Sequence, residues 1–450
     1  MSNTSTIHIK TDFDCKVYDY GQELGTTKAD TYFHVELRKG EHELTFAFAE
    51  DNSISKNINY IVKDADCDYK LVVEIAEELC KKAKEYYDSK NYPKAYSLFS
   101  LAAEKGLAEA QCQLGILFET GKGIEKDYLK AEEWYNKACN QGHSEAMYNY
   151  GRLFCETKDD KAKAFHYFQL SAEKNNLDAL VCLGCCYREG YGTSINFDKT
   201  IELTMKAAEQ NCARAKDAMG LYFKKGIGVE KNLTKAVEWY AKAAEQGYAK
   251  AQYNLGGCYY RGTGVVKNLT KAVEWFNKAA EQGDAEAQCN LGICYHKGLG
   301  VKKDLAKAVE WFTKAAEKGN ATAQCNLGIC YENGYGTEID QTKAVKWYTK
   351  AAENGNAMAQ YNLGICYENG CGVEKNLRKA LELYEKADIQ GCEEGRKRIN
   401  TMLSKNKAHI HKKHDYFNDW DYGRETWDAM TDGMYGDYPG DVDDYSFLGY

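Results

Sequence analysis

The sequence AEAQCNLGICY at residues 285–295 decides the fold, because variants of it recur along the chain. Each variant holds a glycine followed three residues later by an aromatic residue, as at Gly292 and Tyr295. The equivalent glycines lie 36 residues apart, except for one step of 33 residues: Gly115, Gly151, Gly184, Gly220, Gly256, Gly292, Gly328 and Gly364. Eight copies in register predict a repeat protein in which each unit packs on its neighbours.

Each repeat is predicted to begin with a helix, called helix A. Within it, Ala251, Leu255 and Cys258 recur at spacings of three or four residues and form one apolar face. A Gly-x-Gly turn, as at residues 262–264, is expected to end this helix, because glycine readily adopts the left-handed conformation of a helix end.

A second helix, helix B, is predicted to begin at an Asp or Asn that caps free N–H groups. It carries the sequence KAVEW, as at residues 235–239, and we expect Ala236, Trp239 and Ala243 to form its inner face. The predicted caps are Asp127, Asn232, Asn268, Asp304, Asp340 and Asn376. In the 33-residue repeat the shorter sequence CETKDD at 155–160 replaces the Gly-x-Gly turn, which predicts a local tightening of the stack.

The composition excludes several classes of protein. With 450 residues, the chain exceeds the roughly 250–300 residues of a single-core domain, which favours several domains or a stack of repeats. Its 2 prolines exclude proline-rich linkers, and without a run of ~18 apolar residues no segment is expected to span a membrane. No secretory signal is apparent at residues 1–10, so we expect a cytoplasmic protein with reduced cysteines.

Acidic charge is concentrated at the C-terminus. The chain carries 59 basic and 67 acidic residues, a net charge of -8. Residues 415–450 hold ten of the acids and one base, Arg424, which leaves 58 bases and 57 acids, or +1, in residues 1–414. Because this segment also holds ten aromatic residues, we predict a flexible acidic aromatic tail that orders only against a partner. Its predicted docking residues are Trp420, Trp427, Tyr435 and Tyr438.

The repeats at residues 107–391 resemble the Sel1-like repeat, a 36-residue relative of the tetratricopeptide repeat. The resemblance implies a mainly α fold: a right-handed α-solenoid of about nine two-helix repeats. Residues 71–106 then form an opening repeat closer to the tetratricopeptide form, and residues 107–391 form eight Sel1-like repeats. A capping helix at 392–404 follows, and then a basic linker and the tail at 405–450.

Residues 1–70 differ in character from the repeats. Short alternating apolar runs separated by turn signals predict a small antiparallel β domain, a β-sandwich. The stretches at 15–25 and 36–44 resemble PEGA-type β modules, which implies a surface or carrier domain.

The 18 cysteines are interpreted as small core residues. Five of them recur at one position of the repeat: Cys186, Cys258, Cys294, Cys330 and Cys366. The alternative is a metal or redox site at Cys182 and Cys185, which form a CxxC motif inside a predicted helix.

No catalytic residues, metal site or cofactor are predicted, and we expect that the protein is not an enzyme. The Gly-x-Gly turns lack the GKS or GKT continuation of a phosphate loop, and neither an HExxH motif nor a nucleophile elbow is present. His409, His411 and His414 could ligate a metal, but among lysines they are interpreted as part of a basic linker. A nearly neutral body also argues against nucleic acid as a partner.

In the tetratricopeptide family, an asparagine two residues before the helix A glycine faces a concave groove and hydrogen-bonds a bound peptide. The resemblance gives this role to Asn149, Asn254, Asn290, Asn326 and Asn362. An amide suits the role because it both donates and accepts. The alternative is that these asparagines only solvate a helix face.

Positions four and five residues after the same glycine are expected to set specificity in that groove. They are acidic toward the two ends of the array, at Glu119, Glu156, Glu332 and Glu368. In the middle they are basic or aromatic, at Arg188, Lys224, Lys225, Tyr260, Arg261, His296 and Lys297. Such a patch suits an acidic, aromatic peptide. The alternative is an ordinary solvated charge pattern.

These features predict a non-catalytic scaffold that binds a protein or peptide partner in the groove. The chain's own tail is one candidate peptide, either in cis or in trans. The alternative function is an enzyme or enzyme subunit like the cysteine-rich, penicillin-binding branch of the Sel1-like family, which pairs cysteines eight residues apart. No two cysteines in this sequence have that separation. A third hypothesis is a structural spacer.

Overall fold

The described part of the chain is a β region followed by stacked helices. In this computed structural model it comprises residues 4–29, 31–38, 40–49, 55–62, 69–73 and 75–414. Two compact units divide between Ala215 and Lys216. The strands, all in the first unit, are β1 (Thr4–Thr11), β2 (Cys15–Asp19), β3 (Gln22–Thr27), β4 (Tyr32–Arg38), β5 (Gly40–Phe48), β6 (Ser55–Val62) and β7 (Tyr69–Val73).

The strands form two sheets, with the orders β4-β1-β7 and β3-β2-β5-β6. Neighbouring strands are antiparallel, as predicted, except that β7 runs parallel to β1, with Ile7 opposite Tyr69. Alternate residues of both sheets, such as Ile9, Val17 and Phe46, belong to one buried cluster. The resemblance of this region to PEGA-type modules stays a prediction.

Nineteen α-helices follow in the described residues, and the first eighteen form nine helix A–helix B pairs. They are α1 (Ala76–Asp88), α2 (Tyr92–Glu104), α3 (Ala108–Thr120), α4 (Tyr128–Asn140), α5 (Ser144–Leu153), α6 (Lys161–Glu173), α7 (Leu177–Glu189), α8 (Phe197–Glu209), α9 (Ala213–Lys225), α10 (Leu233–Glu245), α11 (Ala249–Arg261), α12 (Leu269–Glu281), α13 (Ala285–Lys297), α14 (Leu305–Glu317), α15 (Ala321–Asn333), α16 (Gln341–Glu353), α17 (Ala357–Asn369), α18 (Leu377–Ile389) and α19 (Glu393–His414). The pairs confirm the predicted helical solenoid of two-helix repeats.

The two ends of the helical array differ in detail from the predicted boundaries. The first helix begins at Ala76 rather than at residue 71, because Tyr69–Val73 pairs with β1 as β7. Asp12 caps this helix from the β region: its carboxylate accepts from the N–H groups of Ile75 and Ala76, at 2.6 and 3.0 Å. The last helix, α19, continues to His414 through the predicted linker.

Capping residues and glycine turns set the ends of the helices. Oδ1 of Asn268 accepts from the N–H of Lys271 at 3.0 Å and starts α12. Gly262 ends α11 with a φ of +75°. A Cβ at the next glycine, Gly264, would lie 2.2 Å from the carbonyl oxygen of Leu233, so only glycine fits. All six predicted helix B caps accept such N–H bonds: Asp127, Asn232, Asn268, Asp304, Asp340 and Asn376.

In eight of the nine described pairs, from α3–α4 to α17–α18, a glycine on helix A lets a side chain of helix B contact the helix backbone. A Cβ at Gly256 would lie 2.7 Å from the ring of Phe276, which is buried. The residues that face the eight repeat-defining glycines are Tyr135, Phe168, Thr204, Tyr240, Phe276, Phe312, Tyr348 and Tyr384. The close contact fixes the separation of helix A and helix B in these eight repeats.

The buried aromatic residue of helix B is therefore not the predicted tryptophan. Tyr240 is 1% exposed, whereas the neighbouring Trp239 is half-buried. The Lys242 Nζ lies 4.5 Å from the centroid of the Trp239 ring, which gives the tryptophan a cation-π contact at the surface. Ala236 and Ala243 are buried, as predicted.

The 33-residue repeat is short because a π-helical turn, Phe154–Lys158, replaces the Gly-x-Gly turn. Asp159 then adopts a left-handed conformation, with a φ of +47°, and Asp160 caps α6 by accepting from the N–H of Lys163 at 3.1 Å. The missing residues are thus accommodated within one turn of the chain.

The five cysteines at the repeated position are buried free thiols, as predicted: Cys186, Cys258, Cys294, Cys330 and Cys366. In the CxxC motif, Cys182 is also buried, and burial raises its pKa to about 12. Within the described ranges, no group of three or more His, Cys, Asp or Glu side chains could hold a metal.

One contact between repeats buries a carboxyl group. Asp217 on α9 is 2% exposed, and its Oδ1 accepts from Nδ2 of Asn254 on α11 at 2.8 Å. Burial raises the pKa of Asp217 to about 6, although the Asn254 hydrogen bond and the charge of Lys250 act in the opposite direction.

We predict that Gly256→Ala and Gly257→Ala change stability in opposite directions. At Gly256 the methyl group overlaps the Phe276 ring, and overpacking costs about 1–3 kcal/mol. At Gly257 the nearest atom is Nη2 of Arg261 at 2.9 Å, which can swing away, so alanine adds about 1 kcal/mol of helix propensity. Urea unfolding of both variants beside the wild type measures the difference. Equal effects would contradict the role given to Gly256.

Asp217→Asn is predicted to stabilise the protein near pH 7 but not near pH 4. A carboxyl group with a raised folded-state pKa contributes stability that is complete below its unfolded value of 3.8 and is lost as the pH rises through about 6. Asparagine does not titrate, so the stability of the variant relative to wild type should grow by about 3 kcal/mol over this range. Urea unfolding at both pH values measures it, and a pH-independent difference would contradict the raised pKa.

Candidate functional site

The predicted groove residues divide between the two units, and the first unit holds Asn149 and Arg188. Asn149 is buried, and its Nδ2 donates to Sγ of Cys112 at 3.8 Å. Nε of Arg188 donates to Oε1 of Glu189 at 2.6 Å. Both side chains are thus engaged by neighbouring residues of their own unit.

In the second unit, three of the predicted asparagines link neighbouring A helices. Each one hydrogen-bonds a side chain 37 positions earlier in the sequence, on the preceding helix A. The pairs are Asn254 with Asp217, Asn326 with Cys289, and Asn362 with Cys325. These amides therefore contribute to the stacking of the repeats.

Asn290 differs from the other four asparagines. The residue 37 positions earlier is Tyr253, whose ring packs 6.0 Å from the ring of Phe276. Within the part of the chain that the structure describes, the Asn290 amide makes no hydrogen bond, and the side chain is half-buried at the wall of a cavity. Its donor and its acceptor are therefore both available to a ligand.

This cavity, of about 80 Å³, lies between α11, α12 and α13. Its lining residues are Tyr260, Arg261, Phe276, Asn290 and Ile293. Arg261 is exposed, and its guanidinium lies over Gly257, 2.9 Å from where a Cβ would be. Four other repeats carry isoleucine at the position of Gly257: Ile116, Ile293, Ile329 and Ile365. Glycine here leaves the space in which the guanidinium lies.

Three cationic side chains lie on the neighbouring A helices α9, α11 and α13. No ion pair involves Lys224, Arg261 or Lys297 among the residues that the structure describes. Lys224 and Arg261 lie near each other, since both lower the pKa of the Cys258 thiol, which burial raises. We use the name A-helix surface for the predicted groove residues on α9, α11 and α13: Lys224, Lys225, Tyr260, Arg261, Asn290, His296 and Lys297.

His296 adds an aromatic ring rather than a charge to the A-helix surface. Its ring meets that of Tyr335 edge-on, with centroids 5.5 Å apart. Burial and the nearby Lys303 and Lys297 lower the pKa of His296 below its usual 6.5, so the imidazole is neutral at pH 7.

Acidic residues at the equivalent positions are engaged by buried tyrosines. Oη of Tyr348 donates to Glu332 at 2.6 Å, and the same bond joins Tyr135 to Glu119 at 2.6 Å and Tyr384 to Glu368 at 2.8 Å. Arginines pair with two of these carboxylates, Arg152 with Glu119 and Arg398 with Glu368. Arg152 also pairs with Glu156, at 2.7 Å. The four predicted acidic groove residues are thus hydrogen-bonded or ion-paired within the fold.

The four predicted docking residues of the tail, Trp420, Trp427, Tyr435 and Tyr438, lie outside the described residues, as does all of 415–450. The histidines His409, His411 and His414 lie on the backbone of α19. None of the helices that the structure describes is long and apolar enough to cross a membrane.

Sequence analysis missed three residues of the cavity and its surroundings: Gly257, Phe276 and Ile293. The signal that could have identified the place is a break in the repeat, since Gly257 replaces an isoleucine and Tyr253 replaces the acceptor of the asparagine ladder. The burial of Asp217 was also missed, because an aspartate is ordinarily expected at the surface.

A family model for the Sel1 repeat matches most of the chain. It matches nine segments: 81–107, 108–143, 144–176, 178–212, 213–248, 249–284, 285–320, 321–356 and 357–387. The first of these covers most of the helix pair that we predicted as an opening, tetratricopeptide-like repeat.

Curated relatives share only part of their length with this chain. DAP3-binding cell death enhancer 1 of Rattus norvegicus is 37% identical over 26% of this chain and 31% of its own length. An uncharacterised protein of Neisseria meningitidis is 32% identical over 22% and 21%. The ERAD-associated E3 ubiquitin-protein ligase component HRD3 of Candida glabrata is 38% identical over 14% and 7%. The chain thus spans less than a third of each of these relatives.

A solved structure matches more of the chain. The c5321 protective antigen of uropathogenic Escherichia coli, which displays an SLR fold, is 31% identical over 81% of both chains, with a TM-score of 0.54. Sel1-repeat proteins are generally protein-interaction scaffolds. Nine matched repeats and this structural likeness establish that the chain belongs to the Sel1-repeat family.

Proposed function

We propose that this protein is a non-catalytic scaffold that binds an acidic, aromatic peptide of a partner protein on the A-helix surface. The observation that carries this proposal is the amide of Asn290, which makes no hydrogen bond among the described residues and lies at the wall of a cavity that Arg261 also lines. The four equivalent asparagines make hydrogen bonds within the fold. Asn290 is the asparagine that is placed to meet a ligand.

An extended peptide is the ligand that suits an amide of this kind. The backbone of such a peptide offers N–H and C=O groups in alternation, and one amide side chain can satisfy one of each. Arg261 on α11 and Asn290 on α13 line the same cavity, so a peptide that crosses these neighbouring A helices passes over it. An apolar or aromatic side chain then enters the space lined by Phe276 and Ile293.

The charges favour an acidic ligand. Hydrogen bonds between Arg261 and a carboxylate are charge-assisted, and at an exposed side chain such a pair contributes about 0.2–1 kcal/mol. Lys224 and Lys297 add positive charge on the neighbouring helices. Neither lysine forms an ion pair among the described residues, so no internal acid competes with a ligand for them. The rings of Tyr260 and His296 provide further contact for aromatic side chains.

Asn290→Ala and Asn326→Ala are matched changes with different predicted outcomes. Asn290→Ala should weaken binding of a labelled random copolymer of Glu and Tyr about tenfold and leave the Tm unchanged, because the amide bonds nothing else that the structure describes. Asn326→Ala should lower the Tm, because its amide bonds Cys289, and leave binding within about twofold. Fluorescence anisotropy and thermal unfolding measure both. Equal binding by all three proteins would contradict the site.

Arg261→Glu is predicted to reduce the affinity for the same copolymer by at least tenfold at 50 mM salt, since it replaces an attractive charge with a repulsive one. Lys302→Glu is the control, because it makes the same charge change at an exposed position of the turn after α13. A similar loss in both variants would show that only net charge matters and would refute a defined site at Arg261.

A further inference from the structure

Resting on this proposed function, we infer that the A-helix surface is also the docking site of the chain's own C-terminal segment, residues 415–450 of the same molecule. The segment would occupy the surface in the absence of a partner, and a partner peptide would have to displace it.

Charge complementarity is the first argument. Residues 415–450 contain ten acids and one base, Arg424. Lys224, Arg261 and Lys297 are cations without an acidic partner in the described residues, whereas Glu119, Glu332 and Glu368 at the equivalent positions of other repeats are bound by tyrosines or arginines. The strongest concentration of negative charge in the sequence is thus opposite in sign to Lys224, Arg261 and Lys297, which form no ion pair among the described residues.

The second argument is the arrangement of residue types. In residues 415–450, acids stand next to aromatic residues: DWDY at 419–422, WD at 427–428, DY at 437–438 and DY at 444–445. The A-helix surface combines a cation with an apolar cavity, since the Arg261 guanidinium lies beside a cavity lined by Phe276 and Ile293. One such dipeptide can place its ring at the cavity and its carboxylate on Arg261.

Length is the third argument. The cavity and α19 belong to the same compact unit, and four steps between neighbouring A helices separate α11 from α19. At about 10 Å per step, these span about 40 Å, and the 22 residues of α19 add at most about 33 Å. The 36 residues that follow reach about 120 Å when extended. They can therefore reach the cavity in cis.

Attachment to the same chain makes the tail a strong competitor. A tethered segment is present at an effective concentration on the order of 1 mM, whatever the protein concentration. Even a weak contact would then reduce the apparent affinity for a partner peptide. Because the attraction is electrostatic and at an exposed surface, salt should weaken it.

The test compares the full-length wild type with a full-length variant in which the ten acids of 415–450 are changed to Asn or Gln. The copolymer of Glu and Tyr is the probe, at 50 and 500 mM salt. The neutral-tail variant should bind it at least tenfold more tightly than wild type at 50 mM salt, and the ratio should shrink at 500 mM. Arg261→Glu in both backgrounds should remove the difference.

Each other outcome is informative. Equal binding by wild type and the neutral-tail variant, with both sensitive to Arg261→Glu, would overturn the tail as occupant and leave the proposed function intact. Binding in neither would overturn the proposed function itself. A photoreactive benzophenone amino acid in place of Tyr260 should crosslink to residues 415–450 within a monomer. Crosslinks found only between two chains would identify a second copy as the occupant and overturn docking in cis.

Discussion

The contact between a helix A glycine and a helix B side chain is the constraint on which the repeats depend. A side chain at Gly256 would occupy the space of the Phe276 ring, so this glycine sets how closely α11 and α12 approach. A second glycine sets the next step, because Gly264 lies against the backbone of Leu233 in the preceding repeat. Neither position leaves room for a Cβ. Backbone packing, rather than the variable polar residues, therefore fixes the geometry in which the surface residues are presented.

The same core contact is linked to the charge at the surface in three repeats. There the buried ring is a tyrosine whose hydroxyl donates to a glutamate four residues after the glycine, as Tyr348 does to Glu332. Where the ring is Phe276 or Phe312 there is no hydroxyl, and the equivalent surface residues are Tyr260 and His296. The glutamates Glu119, Glu332 and Glu368 are thus tied to a tyrosine in the core, whereas Arg188 and Lys224 belong to repeats with Thr204 and Tyr240 at that core position and do not follow from this choice.

Periodicity was sufficient to predict the helix pairs, their caps and the buried cysteines, but not which aromatic residue is buried. Trp239 and Tyr240 both lie three or four residues from Ala236 and from Ala243, so spacing alone cannot choose between them. The run at 69–73 likewise suits a strand or a helix, and pairing with β1 decides. The five asparagines look alike in sequence, although their roles differ according to the residue 37 positions earlier, on a neighbouring helix.

In a repeat array, each residue packs against, or hydrogen-bonds, an equivalent residue of the neighbouring repeat. A departure from the repeat therefore leaves a group without its usual partner. Three departures fall in one repeat, residues 249–284. Tyr253 removes the acceptor that Asn290 would use, Gly257 removes an isoleucine, and Phe276 removes the hydroxyl that requires a glutamate. Phe276 and Asn290 line one cavity together with Arg261, whose guanidinium lies over Gly257, so an amide, a guanidinium and an apolar wall meet there. A spacer would gain nothing from this concentration of changes, whereas a scaffold that binds a peptide at this place would use each of them.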